Sequence, residues 1–284
     1  MGKFFDALQK SGSKQERPAP KRSPENPAKM PAETIESLRL NSSAPEEPGD
    51  KFSTFNGRIH SCLTTALDAQ CASVDCFKLL RTKVLTSNLG RNRTIMVTSP
   101  QPLDGKSVVA ANLAISIAQG MKEHVLLLDC DLRRPSQHQL FGFEAHLGLR
   151  EYLEDGNSVA PHLLKTPVKK LTLLPAGRPP SNPSELISSE KMRLLVTELK
   201  ARYQDRYIIL DATPAKFAAE TAFLAHDADC VLLVVRSGKT LRETALEAIE
   251  HIGREKILGV VFNANTEVQR KYQYYYRYYK KSQA

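Results

Sequence analysis

The sequence predicts an α/β fold with a mostly parallel central sheet and helices on both of its faces. Six short runs of the chain are continuously apolar, and segments with helical periodicity separate most of them. Continuous apolarity indicates a strand that is buried on both faces, because a half-exposed strand would alternate apolar and polar residues. No apolar run reaches the length that is needed to cross a bilayer.

The predicted elements alternate along the chain. The predicted strands are residues 94–98, 125–128, 171–174, 207–210, 231–235 and 257–262. The predicted helices are residues 61–89, 105–119, 184–202 and 241–253. Such alternation predicts parallel strands that are joined by crossover helices.

The composition divides the chain into three parts. Residues 1–58 are rich in proline, serine and lysine, which predicts disorder because little apolar surface can be buried there. Residues 59–266 hold every predicted strand and helix, and residues 267–284 form a predicted flexible tail. The formal charge of +9 would suit nucleic acid or an anionic membrane, but no nucleic-acid-binding motif is present. The five cysteines follow no disulfide or metal-site spacing, which favours a reducing, cytoplasmic location.

A candidate phosphate-binding loop lies between the first predicted strand and the helix that follows it. The loop ends in Gly105-Lys106-Ser107, the second half of the Walker A pattern. Backbone N–H groups at a helix start attract phosphate, the Lys106 ammonium can reach the β and γ phosphates, and the Ser107 hydroxyl can bind Mg²⁺. Pro100 stands where the pattern has its first glycine, so the triplet alone would also fit an ordinary surface loop.

Aspartates follow two further predicted strands. Asp129 and Asp131 come directly after the second strand, and Asp211 comes directly after the fourth. The carboxyl ends of parallel strands are where α/β sheets bind ligands, and residues two apart in an extended chain point the same way. One carboxylate can hold Mg²⁺ or its water, and another can accept a proton from an attacking hydroxyl; for the first pair alone, a solvated turn is the alternative. Together with Lys106, these residues predict a P-loop NTPase that binds ATP and Mg²⁺.

The tail is unusually rich in tyrosine. Six of the eight residues from 272 to 279 are tyrosines in a basic context, namely Tyr272, Tyr274, Tyr275, Tyr276, Tyr278 and Tyr279. A packed core does not need adjacent tyrosines at a chain end, whereas mobile phenol groups suit repeated phosphorylation. A basic aromatic end that binds a membrane or RNA by stacking is the alternative.

These motifs together resemble those of the bacterial tyrosine kinases (BY-kinases), the cytoplasmic autokinases of exopolysaccharide and capsule export, which are related to the ParA/MinD ATPases. The resemblance covers roughly residues 60–284. It rests on the Gly-Lys-Ser loop, the Walker A′ stretch 129–135, the Asn-Pro-Ser-Glu-Leu stretch within 177–186, Asp211, the stretch 259–263 and the tyrosine tail. It implies that residues 59–266 are a kinase domain that phosphorylates the tail in trans between subunits and regulates polysaccharide polymerisation and export.

The resemblance implies roles for individual residues. The implied catalytic residues are Lys106, Asp129, Asp131, Asp211 and Arg133, of which Arg133 would neutralise charge on the transferring phosphate. The implied nucleotide-binding residues are Asp104, Gly105, Lys106, Ser107, Val108 and Asn263, and the implied metal ligands are Ser107, Asp129 and Asp211. The six tail tyrosines are the implied phosphoacceptors.

The resemblance also implies partners. Asp75, Lys78 and Arg81 stand where the family has the Glu-x-x-Arg-x-x-Arg helix of its ring contact, which implies a homo-oligomeric ring. Asp is shorter than Glu and Lys lacks the planar fork of Arg, so this ring would be weaker. The other implied partners are a membrane-spanning chain-length regulator whose cytoplasmic segment activates the kinase, and a cognate tyrosine phosphatase. Nucleic acid is not an expected partner. The resemblance implies that the kinase and its membrane-spanning regulator are separate chains, and that the regulator holds the kinase at the inner face of the membrane.

The sequence departs from the family pattern in the phosphate loop. Leu103 stands where the family often has glycine, and a residue with a Cβ atom disfavours positive φ, which predicts that the loop follows another path. A catalytically weakened nucleotide-binding scaffold is therefore an alternative function. A ParA/MinD-type ATPase is a second alternative, which Gln101 disfavours because those proteins carry a signature lysine there. Glu220 stands where the family commonly has Asp.

Overall fold

A seven-stranded sheet lies at the centre of the part of the chain that the structure describes. This computed structural model describes residues 53–55, 57–67, 71–87, 93–156, 158–202 and 205–265. Most of the segment that is predicted to be disordered and the whole tyrosine tail lie outside the described residues.

The strands and helices alternate as the sequence predicts. The strands are β1 Ser53–Phe55, β2 Thr94–Thr98, β3 His124–Asp129, β4 Phe143–Ala145, β5 Leu164–Lys165, β6 Leu171–Leu174, β7 Arg206–Asp211, β8 Cys230–Arg236 and β9 Ile257–Asn263. The α-helices are α1 Thr64–Leu67, α2 Ala72–Thr86, α3 Lys106–Ala118, α4 Gln137–Leu140, α5 Leu149–Asp155, α6 Pro183–Ile187, α7 Glu190–Arg202, α8 Glu220–Asp227 and α9 Arg242–Ile252.

The strand order of the sheet is β5-β6-β3-β7-β2-β8-β9. Every pairing is parallel except that of β5 with β6, which is antiparallel at one edge. All six strands that the sequence predicts are confirmed, and no strand end is shifted by more than one residue. The prediction of a mostly parallel sheet is therefore also confirmed.

Two apolar cores cover the two faces of the sheet, because successive strand residues point to opposite sides. Met96 and Leu126 lie in one core, whereas their neighbours Val97 and Leu127 lie in the other. Helices α5 to α9 supply the first core, and helices α1 to α4 supply most of the second. Helix α3 is buried along most of its length, since its alanines allow close approach to the sheet.

The helix that the sequence predicts over residues 61–89 is instead divided into α1 and α2. The Ser73 hydroxyl donates to Thr64 Oγ1 at 2.9 Å. Residues nine positions apart on one straight helix would lie about 13 Å apart along its axis, so this contact requires a break. The break folds α1 back towards α2, and both pack against α3.

The helix that the sequence predicts over residues 184–202 is also divided, into α6 and α7. Ser189 lies at the break, and its Oγ accepts the backbone N–H of Met192 at 3.2 Å. A serine hydroxyl at this position satisfies one of the N–H groups that a helix start leaves free, and thus favours a new start over continuation.

A small two-stranded sheet lies apart from the central one. Strand β1 pairs antiparallel with β4 through residues 53–55 and 143–145. The sequence predicts disorder over residues 1–58, but residues 53–55 of this segment form a β-strand. Their partner strand is far away in the sequence, so local composition gives no sign of the pairing.

The central strands place the candidate site. Strand β7 lies between β3 and β2, and Asp129 at the end of β3 stands in register with Asp211 at the end of β7. The phosphate loop follows β2, whose Val97 is also in register with Asp211. Three adjacent parallel strands thus bring their carboxyl ends to one edge. Among the residues described, no helix has the length and apolar character of a membrane span.

Candidate active site

The phosphate loop joins β2 to α3 and turns sharply at Gly105. Gly105 has φ +92°, and a Cβ atom built on it would lie 2.1 Å from the Nδ2 atom of Asn263. Both the backbone conformation and the close approach therefore require glycine. No side chain caps the start of α3, so its first N–H groups remain available to an anion.

The Lys106 side chain lies among acidic groups at the start of α3. Its Nζ is 2.8 Å from Asp131 Oδ2 and 3.4 Å from Asp211 Oδ1, and it donates to Ser107 Oγ at 3.0 Å. Burial alone would lower the pKa of Lys106, but the negative charges of Asp211 and Asp131 outweigh it and raise that pKa. Lys106 is therefore held as a buried ammonium ion.

The Asp129 carboxylate is fully buried and is bound by main-chain donors. Its Oδ1 accepts the N–H of Asp131 at 3.2 Å, and its Oδ2 accepts the N–H groups of Ser136 and Gln137, each at 2.9 Å. Burial and the nearby charge of Asp211 raise the pKa of Asp129 to about 7. Asp129 therefore fixes the turn after β3 and carries a carboxyl group that exchanges its proton near neutral pH.

Gln137 is a site residue that the sequence reasoning missed. Its Nε2 donates to Asp211 Oδ2 at 2.8 Å and to the Ser107 carbonyl at 3.1 Å, which ties the loop after β2 to the end of β7. Both partners are acceptors, so the orientation of the amide is unambiguous. Its Oε1 is buried and makes no hydrogen bond with the described residues. The available signal was an amide residue two positions after the Walker A′ stretch.

Arg133 lies in a second cluster. Its Nε donates to Glu220 Oε1 at 2.9 Å and its Nη2 donates to Ser184 Oγ at 2.7 Å. The Ser184 hydroxyl in turn donates to Glu220 Oε2 at 3.0 Å, and Glu220 is buried. Arg133 thus links the Walker A′ turn to α6 and α8. The resemblance assigned Arg133 to the transferring phosphate, and in this structure its guanidinium contacts Glu220 and Ser184.

Asp104 and Asn263 meet beside Gly105. Asn263 Nδ2 donates to the Asp104 carbonyl at 2.8 Å. The Asp104 carboxylate is buried, and its Oδ1 accepts the Thr240 hydroxyl at 2.8 Å. Burial raises the pKa of Asp104, although the Thr240 hydrogen bond opposes this effect. The Asn263 side chain therefore contacts the loop backbone.

Leu103 overturns one expectation about the loop. The sequence predicts that a leucine here forces the loop onto another path, but Leu103 itself has φ +68°. The prediction is wrong in its premise, because the leucine takes positive φ, and its side chain remains 81% exposed. Leucine therefore occupies the conformation in which glycine is favoured.

The residues of the implied ring contact make contacts within the chain. Lys78 Nζ lies 3.0 Å from Asp75 Oδ1, one turn away on α2. Arg81 Nη1 donates to the Ser116 carbonyl near the end of α3 at 2.8 Å.

Val108 lies in the first turn of α3, and its carbonyl accepts Asn112 Nδ2 at 2.9 Å. The phosphoacceptor tyrosines lie outside the described residues.

The donor set at the edge of β2, β3 and β7 fits Mg²⁺ that arrives with a nucleotide. No group of three or more His, Cys, Asp or Glu side chains within the described ranges is placed to hold a metal alone. Mg²⁺ commonly binds through one or two carboxylates with phosphate oxygens and waters as the other ligands. Ser107 with the two buried aspartates, and the free Oε1 of Gln137 as an acceptor for a metal-bound water, meet this requirement.

The fold and the site define a P-loop NTPase, and comparison with known proteins gives the family. No family model matches the chain. The chain is 37% identical over 190 residues to the tyrosine-protein kinase YwqD of Bacillus subtilis, and this match covers 66% of this chain and 79% of YwqD. It is 35% identical over 211 residues to the putative tyrosine-protein kinase EpsB of Ralstonia solanacearum, covering 72% of this chain but only 28% of EpsB. The chain belongs to the bacterial tyrosine-protein kinase family.

Solved structures agree with this assignment. The kinase domain of the Escherichia coli tyrosine kinase ETK superposes with a TM-score of 0.66 at 26% identity, covering 71% of this chain and 79% of that domain. The septum site-determining protein MinD of Pyrococcus horikoshii, solved with Mg-ADP, has a TM-score of 0.50 at 19% identity. The match covers 60% of this chain and 69% of the MinD chain. The second likeness shows a shared fold alone.

Proposed function

We propose that this chain is an ATP-dependent autokinase that phosphorylates its own C-terminal tyrosines, with one subunit acting on the tail of another. The observation that carries the proposal is the position of Lys106, whose ammonium lies between Asp131 and Asp211 at the start of α3. The names of its relatives as tyrosine-protein kinases and the six tail tyrosines support the choice of acceptor.

In this proposal, the loop binds the phosphates of ATP. The β and γ phosphates would bind the N–H groups of residues 104–108 and the Lys106 ammonium. These phosphates would then replace the Asp131 and Asp211 carboxylates as the partners of Lys106. Ser107, Asp129 and Asp211 would hold Mg²⁺, which when bound offsets negative charge on the phosphates. Asn263, which supports the loop backbone, would lie on the adenine side.

The transfer step needs a base, and Asp131 is the best placed. Its Oδ2 faces Lys106, whereas both oxygens of Asp129 already accept main-chain N–H groups. The phenol oxygen would form a bond to the γ phosphorus as the bond to the β-phosphate oxygen breaks, with the phenol proton passing to Asp131 and ADP leaving. A phenol has a pKa of about 10, so removal of its proton requires such an acceptor. Arg133 would act indirectly, by fixing the Walker A′ turn.

The wider role follows from the resemblance. We propose that the kinase regulates exopolysaccharide or capsule polymerisation and export, and that a membrane-spanning chain-length regulator activates it at the inner face of the membrane. A ring of subunits that uses Asp75, Lys78 and Arg81, and a cognate tyrosine phosphatase, complete the proposal. Residues 59–266, extended by β1, would form the kinase domain, with the tyrosine tail as its substrate.

Incubation with ATP and Mg²⁺, followed by phosphotyrosine mass spectrometry, tests the function. Phosphotyrosine within residues 272–279 would support the autokinase. Nucleotide binding without any phosphotyrosine, even with the regulator's cytoplasmic segment added, would instead support the catalytically weakened scaffold. Phosphate release without phosphotyrosine would indicate an ATPase.

A mixing experiment tests transfer between subunits. Protein with Lys106→Met and an intact tail would be combined with active protein in which the six tail tyrosines are changed to phenylalanine. We expect phosphotyrosine on the Lys106→Met chain, because the neighbouring subunit supplies the active site. If neither chain is labelled while the unaltered protein is, transfer occurs within one chain and this part of the proposal is wrong.

A further inference from the structure

The phosphate loop contains a strained residue that its own side chain does not stabilise. Leu103 has φ +68°, a region that is unfavourable for residues with a Cβ atom. Its side chain is 81% exposed and contributes little packing. A backbone in such a region persists only when surrounding contacts hold it, so the support must come from polar contacts to the loop.

Two neighbouring strands supply these contacts. Arg236 Nη1 donates to the Leu103 carbonyl at 2.9 Å, and Asn263 Nδ2 donates to the Asp104 carbonyl at 2.8 Å. Arg236 ends β8 and Asn263 ends β9, and the two residues are in register across the parallel pair. Both therefore reach the loop side by side from a rigid part of the sheet.

Thr240 adds a third contact and joins the others. The Thr240 hydroxyl donates to Asp104 Oδ1 at 2.8 Å, and Thr240 Oγ1 accepts the backbone N–H of Arg236 at 3.1 Å. Asp104 Oδ2 is buried and has no partner among the described residues. The Thr240 contact therefore ties the buried Asp104 side chain, and with it the loop, to the turn after β8.

We propose that Arg236 and Thr240, together with Asn263, form a loop brace that holds the phosphate loop in its nucleotide-binding conformation and offsets the unfavourable backbone of Leu103. Arg236 and Thr240 are positioning residues in this proposal. The brace takes the place of the conformational freedom that a glycine at position 103 would provide. The inference rests on the proposed function, because it assigns the conformation of Leu103 to nucleotide binding.

The test is a double-mutant cycle with Mg²⁺-ADP binding, measured by calorimetry. Thr240→Val, which removes the hydroxyl but keeps the shape, should weaken binding by about three- to tenfold, and Thr240→Ser should restore it. In a Leu103→Gly background the same change should weaken binding by less than about twofold, because glycine adopts positive φ without a brace. Arg236→Met should behave as Thr240→Val does.

Matched controls and a nucleotide-free measurement complete the test. Thr197→Val and Arg254→Met alter exposed residues of α7 and of the turn after α9, and should leave affinity unchanged. Without nucleotide, amide hydrogen exchange of residues 100–107 should be faster in Thr240→Val than in the unaltered protein, at similar thermal stability. An equal loss of affinity in both backgrounds, or unchanged exchange, would overturn the brace while the function stands. If the unaltered protein does not bind Mg²⁺-ADP, the proposed function fails, and the exchange measurement still decides whether the brace holds the loop.

Discussion

Lys106 Nζ lies 2.8 Å from Asp131 Oδ2, although the two residues follow strands that β7 separates in the sheet. The contact is possible because the loops after β2 and β3 both bend over the end of β7. It keeps the ammonium at the point where a phosphate would bind, and it also occupies the carboxylate that would accept a proton. Binding of nucleotide phosphates would therefore release Asp131 for catalysis.

Asp131→Asn should separate catalysis from binding. We expect tail phosphorylation to slow by about a hundredfold or more, because a general base contributes roughly this factor. Mg²⁺-ADP affinity should not decrease, since Lys106 loses a competing partner. The rate of phosphotyrosine formation and the Mg²⁺-ADP affinity from calorimetry would be compared with those of the Asp155→Asn protein. Asp155 is an exposed residue at the end of α5. An Asp131→Asn protein that retains full activity would remove Asp131 as the base.

Gln137→Leu should destabilise the protein. The change leaves Asp211 Oδ2 and the Ser107 carbonyl without their buried donor, which costs about 1–3 kcal/mol in the free energy of unfolding. Urea unfolding without nucleotide measures this loss. Gln139→Leu, at an exposed position of the same helix, is the control and should change stability little. Equal stability of the two variants would show that the Gln137 amide does not hold the site together.

Binding of Mg²⁺-ADP should weaken as the pH falls. The pKa of Asp129 is raised to about 7, so below that pH the carboxyl group is mostly protonated and the metal must displace a proton. Between about pH 8 and about pH 6 we expect the affinity to fall by up to about tenfold and proton release to rise. Calorimetry in buffers of different ionisation enthalpy measures both quantities, with ADP and a chelator as the control. A metal-dependent affinity that is flat over this range would contradict the assignment.

Phosphorylation should loosen the assembly. Residues 267–284 carry five basic side chains and one acidic side chain, which gives about +4. Each phosphotyrosine adds roughly −1.5 to −2, so six would add about −9 to −12 and reverse the sign of the tail. Phosphorylated protein should therefore sediment as smaller species than a variant with all six tyrosines changed to phenylalanine and treated with ATP. Identical sedimentation of the two would exclude this switch.

Much of the fold could be predicted from the sequence because the central strands are continuously apolar. Runs such as residues 125–128 and 231–235 identify strands that are buried on both faces, and parallel strands bring their following loops to one edge. This is why Lys106, Asp129 and Asp211 could be expected to meet before the structure was known. The strands β1, β4 and β5 were not predicted, because two or three residues carry no periodic signal.

The rest of the site depends on contacts between distant parts of the chain. Gln137 fits no motif, and its role follows only from its approach to Ser107 and Asp211. Arg133 faces Glu220, which sequence spacing does not indicate. Leu103 adopts positive φ against its intrinsic preference, and Arg236 at the end of β8 donates to its carbonyl. Such tertiary contacts override local preferences and cannot be read from one segment.

The central claim is that Lys106 binds the phosphates for tyrosine transfer, and one measurement tests it most directly. Purified Lys106→Met protein, Lys169→Met protein and unaltered protein would be incubated with ATP and Mg²⁺, and phosphotyrosine within residues 272–279 would be quantified by mass spectrometry. Lys169 is an exposed lysine and serves as the control. We predict phosphotyrosine on the unaltered and Lys169→Met proteins and none on Lys106→Met. Full labelling of the Lys106→Met protein would contradict the account.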